Sequence, residues 1–567
     1  MHLKKNELRF CLVFFSFIFL LIFFSTKLVL IQAFRSSFFT SLATKQHNYS
    51  IELEPIRGTI FDRNMRPLAL NVTMFSLFAN PKEMTKSDKE KAANQLSTIL
   101  NINRDFIRER LMKDKYFVWI KRKLTAEQSD KVKLLKIKGL NFIDESKRIY
   151  PNGALAAHVV GFAGVDNNGL EGLELLYDKY LHGEKGSVEI LRDARQRHLM
   201  IEKSYLAPKD GLDVVLTIDE TIQYVAEQAL DEAMKQYKAQ AASIIVIDVK
   251  TGEILALANR PTYNLDQAQL SNLENRTNRA VSFVYEPGSV FKIVAAAAAL
   301  EEQKYNERDI IFCENGKYRI ANHFLTDHHP HGKLSFQEVI EVSSNIGVAK
   351  IAQKLGPDVI YKYGKRFRFG EKTGIDFKGE VSGWLKSPAQ WSKTTIGAIP
   401  IGYEVTVTPL QLVYAVASIA NEGLYMRPFM VKYIKDKQGN IIKEFAPEVV
   451  DRVISIDTAH RVKEILAGVV ENGTGKRAQI EGVRVAGKTG TARKVVNGGY
   501  SQGKYYATFM GFAPADNPRL AAIVVVDQPS TYYFGGTVAA PVFKEAIEKS
   551  LKYLETSELA YKSDMGK

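Results

Sequence analysis

The chain has 567 residues, a hydrophobic content of 46% and a formal net charge of +14; that length and apolar content exceed one ordinary core and point to a multidomain globular protein. The 77 basic residues are scattered among 63 acidic ones with no long basic run, which excludes a nucleic-acid-binding tract and leaves a general surface bias suited to an anionic envelope polymer. Two cysteines, Cys11 and Cys313, exclude a disulfide framework and a cysteine-based metal site.

At the N-terminus, Phe10 to Phe24 is almost uninterrupted Phe, Leu, Ile and Val, and Leu28 to Phe34 extends the run past Lys27. As a helix, residues 10–34 would be about 37 Å long, enough to cross a bilayer core of roughly 30 Å with some tilt while Lys27 snorkels. Lys4, Lys5 and Arg9 precede the run. The positive-inside rule therefore leaves residues 1–9 in the cytoplasm and sends the rest outward, against the weaker pull of Arg35. The competing reading is a signal peptide cleaved at the small-residue stretch Ser41-Leu42-Ala43. The interval from Lys27 to Arg35 lies awkwardly between an h-region and that stretch, which favours an uncleaved anchor.

Residues 35–205, rich in charges and Gly and Asn turn signals, read as an extended α+β module. Near residue 211 the texture changes. Leu212 to Ile218 alternates like a strand, Glu220 to Tyr237 has a helical pattern, and Ala242 to Val249 with Glu253 to Ala258 predicts a hairpin. From 206 to 554 strands and helices mix without a regular βαβ beat, which predicts an α+β domain rather than a doubly wound sheet. The tail, 555–567, leaves no room for a further C-terminal module.

The chemistry centres on Tyr285-Glu286-Pro287-Gly288-Ser289-Val290-Phe291-Lys292, followed by a run of alanines from Ala295 to Ala299. Pro-Gly makes a turn and the alanines make a strong helix, so Ser289 falls in the first turn of a buried helix with Lys292 on the same face. A serine hydroxyl is a poor nucleophile; a lysine can take its proton only if burial or a neighbouring cation lowers its pKa. The helix N-terminus favours the negative charge that develops on attack.

Ser-x-x-Lys alone is a weak signal, and Ser501-Gln502-Gly503-Lys504 repeats it in a Gly-rich, hairpin-like stretch. Two further elements strengthen it. Ser343-Ser344-Asn345 lies in an apolar helical stretch, Phe336 to Ala349, from which two polar side chains can reach a substrate amide and relay a proton. Lys488-Thr489-Gly490-Thr491 follows a strand-like Val483 to Ala486, where a glycine admits substrate backbone and a lysine with two hydroxyls can bind a carboxylate. The other Lys-Thr-Gly copies, at Lys250 and Lys372, read as turns.

The ordered trio Ser-x-x-Lys, Ser-x-Asn, Lys-Thr-Gly occurs in penicillin-binding proteins and class A β-lactamases. From about residue 55 to 550 the chain resembles a class B penicillin-binding protein, most like the cell-division transpeptidase. The supporting stretches are Arg57 to Asn64, Arg148-Ile149-Tyr150-Pro151, Gly169 to Glu174, Leu216-Thr217-Ile218-Asp219 and Gly535-Gly536. Val290, where the family usually has Thr, is a neutral departure.

The resemblance implies an N-terminal membrane helix, a non-catalytic pedestal and a transpeptidase domain whose antiparallel sheet is sandwiched by helices. It implies that Ser289 attacks the penultimate D-Ala carbonyl of a pentapeptide stem, releases the terminal D-Ala and passes the acyl group to an amine on a neighbouring stem. Lys292 would take the serine proton. Ser343 and Lys488 would pass a proton to the leaving amine, and Asn345 would orient the donor peptide. Thr489, Gly490 and Thr491 would line the carboxylate site, with the backbone N–H groups of Ser289 and Thr491 as the oxyanion hole. It calls for no metal or cofactor. The implied partners are stem peptides, covalently bound β-lactams, and a lipid II-polymerising glycosyltransferase with other division proteins.

A β-lactamase or β-lactam sensor would lack the module that carries Arg57 to Asn64, a bifunctional class A protein would need a glycosyltransferase domain, and a scaffold with a decayed site would not keep all three motifs. An elongation-type transpeptidase is the nearest alternative. His323, Asp327, His328, His329 and His331 fall within nine residues. They offer zinc-type ligands, but Pro330 interrupts them and their spacing shares no helix face, so they read as a polar loop.

Overall fold

The computed structural model describes residues 2–39, 48–192, 198–496 and 498–565; Ser41-Leu42-Ala43 lies outside them. The chain forms two compact units, residues 1–56 with 183–210, and residues 57–182 with 211–567.

The first unit holds a helix, His2–Val29, that continues through a wider turn, Leu30–Phe34. Its apolar stretch Lys5–Phe34 spans 30 residues with a mean hydropathy of 2.5 and no buried side chains, about 45 Å of helix. A helix apolar on every side is at home in lipid rather than water; it fits a single-pass membrane anchor. The unit also contains an antiparallel sheet of Asn48–Leu53, Gly186–Arg192 and His198–Leu206.

In the second unit, residues 57–182 build on a long strand, Pro67–Ala79, paired with Leu140–Ile149 and Val118–Lys121. Helices Lys86–Leu100, Arg104–Leu111 and Ala126–Leu134 are started by side-chain caps from Thr85, Asn103 and Thr125. They bury Leu96, Ile107 and Leu111 against Leu77 and Ala79. The short strand Ile60–Phe61 pairs with Pro67–Ala79 on one side and with Asp213–Leu216 on the other, and the latter pairs in turn with Val431–Lys435.

Three stretches far apart in sequence meet beside it. Arg57 Nε donates to Glu174 Oε2 at 2.7 Å, Arg148 Nε donates to Glu174 Oε1 at 2.6 Å, and Arg57 Nη1 donates to Asp178 at 2.6 Å. Arg57, Arg148 and Glu174 are all buried. These are the arginines and glutamate of the motifs quoted above for the family resemblance.

Residues from 211 onward contain helix α1 (Glu220–Tyr237), strands β1 (Ala241–Asp248) and β2 (Ile254–Arg260), and helices α2 (Lys292–Glu301), α3 (Phe336–Glu341), α4 (Asn345–Leu355), α5 (Pro409–Ala420) and α6 (Ile456–Glu471). They end with strands β3 (Ala486–Val496), β4 (Gly499–Ala513) and β5 (Leu520–Asp527) and helix α7 (Gly535–Met565), which runs past Leu554. The sheet is antiparallel throughout, in the order β2-β1-β5-β4-β3. Both of its faces are dry. Alternate residues of β1 and β5 go to opposite sides, Ile244, Val246 and Val524 against α1 and α7, and Ile245, Ile247 and Ile523 into the larger core with α2, α5 and α6. This is the predicted α+β sandwich.

Two sequence expectations are corrected. The stretch 336–349 is not one helix. It stops after Glu341, turns through Ser343 at φ 61° and restarts at Asn345 with the Ser344 hydroxyl as N-cap on the Gly347 amide. The strand at Ala486 does not end before Lys488 but carries Lys-Thr-Gly-Thr within it, these four residues paired one for one with Met510 to Ala507.

Candidate active site

Pro287 and Gly288 set the nucleophile turn. Gly288–Phe291 is a single 3-10 turn that runs into α2, whose residues from Lys292 to Leu300 are all buried. Gly288 has φ 60°, and a Cβ there would sit 3.1 Å from both the Thr491 carbonyl and the Ala492 Cβ; only glycine lets this turn lie against β3. On the strand side, a Cβ on Gly490 would meet the Pro287 carbonyl and Val290 at 3.0 Å. These two close approaches bring the backbones at Ser289 and Thr491 together.

Lys292 has no exposed surface. Its ammonium donates to the Ser343 carbonyl at 2.6 Å, to Ser343 Oγ at 3.1 Å and to Asn345 Oδ1 at 2.8 Å. Among the described residues, its hydrogen bonds run to these groups rather than to the Ser289 hydroxyl. Burial lowers its pKa to about 7, and Asp327 pulls the other way. Lys488, equally buried, donates to Ser343 Oγ at 2.9 Å; burial and then the neighbouring Lys292 charge hold its pKa well below the usual lysine range. The Ser343 hydroxyl therefore accepts from two amines, which leaves its own proton free to be given away.

The left-handed turn at Ser343 has a local cause. Asp327 accepts from Ser344 Oγ at 2.6 Å, from the Asn345 amide at 2.5 Å and from the Ile346 amide at 3.1 Å, so its carboxylate caps α4 from outside. Asn345 Nδ2 donates to the Thr326 carbonyl at 2.9 Å, which fixes its amide with Oδ1 toward Lys292. On β3, the Thr489 hydroxyl lies 2.7 Å from that of Thr474, and Thr491 Oγ1 accepts from the Gly535 amide at the start of α7 at 3.0 Å.

Two cavities meet at this point. One, of about 330 Å³, is lined by Ser289, Ser343, Thr489 and Thr491 together with Thr474, Lys476, Arg477, His329 and His331. The other, of about 720 Å³, is lined by Asn345, Thr491, Arg493, Glu404 and the rings of Tyr403, Tyr500, Tyr505 and Tyr533.

All five residues expected to carry catalysis, Ser289, Lys292, Ser343, Asn345 and Lys488, thus lie in one cluster with Thr489, Gly490 and Thr491 beside it. The decoys lie elsewhere. Lys250-Thr251-Gly252 is a turn folded onto the Asp248 carboxylate, and Thr373 bonds Glu380 in a loop. Ser501 and Lys504 lie on strand β4 rather than in a loop, where residues three apart point to opposite faces. Among the described residues, no three His, Cys, Asp or Glu side chains converge on a metal-binding geometry; within the histidine-rich segment, His328 packs edge-on to Phe534 and Asp327 caps α4.

Residues 242–548 match the family model of the penicillin-binding protein transpeptidase domain, and residues 52–216 match that of the penicillin-binding protein dimerisation domain. The chain belongs to the class B penicillin-binding proteins. This penicillin-binding protein is 37% identical to stage V sporulation protein D of Bacillus subtilis over 97% of its own length and 86% of the relative's. It is 34% identical to the peptidoglycan D,D-transpeptidase FtsI of Escherichia coli, over 86% of this chain and 82% of FtsI. A crystal structure of penicillin-binding protein 3 from Mycobacterium tuberculosis in complex with aztreonam superposes with a TM-score of 0.68 at 28% identity, covering 89% of this chain and 97% of that one.

The sequence reading missed the capping role of Asp327 and missed Thr474 altogether. Asp327 was visible only as part of a histidine-rich loop, and Thr474 sits in Asn472-Gly473-Thr474-Gly475, which reads as an ordinary turn. No local pattern links either to the distant element it serves.

Proposed function

We propose that this protein is a peptidoglycan D,D-transpeptidase in which Ser289 forms an acyl-enzyme with the penultimate D-Ala of a donor stem peptide. The observation that carries the reading is a pair of buried lysines of lowered pKa that share the hydroxyl of Ser343, which lines the same cavity as Ser289. As an ammonium, Lys292 spends all three protons on Ser343 and Asn345. As a neutral amine, the form its burial favours above about pH 7, it has a lone pair to take the Ser289 proton.

In the first step the Ser289 Oγ–C bond forms and the C–N bond to the terminal D-Ala breaks. The leaving nitrogen takes the Ser343 proton, which the lysines replace. The amides of Ser289 and Thr491 hold the oxyanion, a contribution of about 3 kcal/mol per donor. In the second step an amine of a neighbouring stem attacks the ester, gives its proton to the same relay and frees Ser289. Asn345 orients the donor amide, and Thr489 and Thr491 face its carboxylate across Gly490. A β-lactam enters the same first step, and its acyl group remains attached.

The N-terminal helix holds the enzyme in the cytoplasmic membrane with Lys4, Lys5 and Arg9 inside and the catalytic domain outside. Residues 35–205 serve as the pedestal, residues 206–554 as the transpeptidase domain and residues 555–567 as its tail. Likeness to FtsI favours septal wall synthesis, with the pedestal as the surface for a lipid II-polymerising glycosyltransferase and other division proteins.

Intact mass measurement after incubation with a penicillin tests the chemistry: one stable adduct is expected, absent in Ser289→Ala. Rapid turnover of the drug would instead mark a β-lactamase. A fluorescent fusion tests the cellular role: septal signal is expected, and signal along the side wall would reassign the protein to elongation.

A further inference from the structure

The loop between α6 and β3 takes no part in the relay described above, yet it supplies Thr474, Lys476 and Arg477 to the cavity that holds Ser289. Thr474 is anchored at both ends. Its amide donates to the Glu341 carbonyl at 3.2 Å, two residues before Ser343, and its hydroxyl lies 2.7 Å from that of Thr489 on β3. Each hydroxyl has one proton, so within the pair one donates to the other and a single proton remains to face the cavity. If Thr489 is to donate to a ligand, Thr474 must be its donor. Among the described residues the one carboxylate that lines this cavity, Asp327, is already engaged by Ser344 and the start of α4, so the field from Lys476 and Arg477 favours an anion.

We propose that Thr474 is a positioning residue that turns the Thr489 hydroxyl toward the terminal carboxylate of the donor, and that its loop, with Lys476 and Arg477, makes this end of the cleft selective for a carboxylate. The proposal rests on the transpeptidase reading and names the part of the substrate that this loop recognises.

The test compares two N-acyl-D-alanyl thioesters, one with a free carboxylate on the leaving thiol and one with the carboxamide in its place. In each, Ser289 Oγ forms the new ester, the C–S bond breaks and the thiol departs with the serine proton, so thiol release reports acylation. Stoichiometric labelling of Ser289 by a fluorescent penicillin counts the folded active sites in every preparation. For Thr474→Val, the KM of the carboxylate substrate is expected to rise about tenfold with kcat little changed, while the carboxamide is unaffected. Thr474→Ser should restore the preference. Lys476→Gln should weaken the carboxylate substrate a few fold at low salt and less at high salt.

Equal loss on both substrates, or no change in Thr474→Val, would overturn the assignment and leave the transpeptidase reading intact. Failure of the wild-type protein to form an acyl-Ser289 with either thioester or with penicillin would instead overturn the reading on which the assignment rests.

Discussion

Two clusters of buried charge in the second unit are chemically opposite. Around Glu174, two guanidiniums share one carboxylate and Arg57 also reaches Asp178, so the cations of the pedestal region are matched by anions. Around Ser343, two ammonium groups are packed with hydroxyl, amide and carbonyl oxygens, and among the described residues neither forms an ion pair. Burial is similar in both places, but only the second cluster lacks a direct ion pair, and there burial lowers the pKa of both lysines. Buried charge by itself marks architecture; buried charge without a counter-ion marks chemistry.

The sharpest way to break this contrast is to remove one member from each side. Ser289→Ala is expected to abolish the penicillin adduct, as read by intact mass. Lys292→Met should lower the acylation rate constant about 10³-fold yet leave the melting temperature within a few degrees, because the relieved desolvation cost offsets the lost hydrogen bonds. Glu174→Gln should do the reverse. It strands two buried guanidiniums and costs about 3 kcal/mol of stability, seen in denaturant unfolding, while the rate constant per active site is unchanged. If Glu174→Gln slowed acylation at full folding, the two clusters would be coupled and the contrast would fail.

Acidity gives a finer test. In the proposed mechanism the neutral amine is the base, and burial lowers the pKa of Lys292 to about 7, so the acylation rate should be level above about pH 8 and fall about tenfold per unit below the pKa. A flat profile down to pH 5 would remove Lys292 from the base role. The smallest effect is expected at Asp327→Asn, which keeps the shape but weakens three charge-assisted bonds to Ser344 and the start of α4. Acylation should slow by about tenfold or less, with the pKa read from the profile moved slightly down, because a nearby anion that favours the protonated lysine is gone.

The candidate cluster was legible from the sequence because its residues sit in three short motifs in a fixed order, and order along the chain is information that a single Ser-x-x-Lys lacks. The α+β class was legible because residues 242–249 form a nearly continuous apolar run and α1 has a clear helical period, whereas the sandwiched sheet was expected from the family resemblance. The break at Ser343 was not, since apolar spacing continues from Val339 and Ile340 to Ile346 and Val348 across it, and what interrupts the helix is a carboxylate from a loop some eighteen residues away. Nor was the reach of β3 through Lys488 to Thr491 readable, because lysine and glycine are poor strand formers and only pairing with β4 holds them extended.

The strand Ile60–Phe61 is only two residues long, but among the described residues it makes the one parallel strand pairing by which the pedestal region enters the seven-stranded sheet containing Asp213–Leu216 and Val431–Lys435. Cutting the chain at residue 206 to isolate the catalytic half would therefore strip a neighbour from Val214 and Val215, both fully buried, and leave a bare hydrophobic edge open to intermolecular strand addition. Fragments made for crystallisation or inhibitor screening should begin before Arg57, and those that begin at 206 should precipitate or be trimmed by proteases.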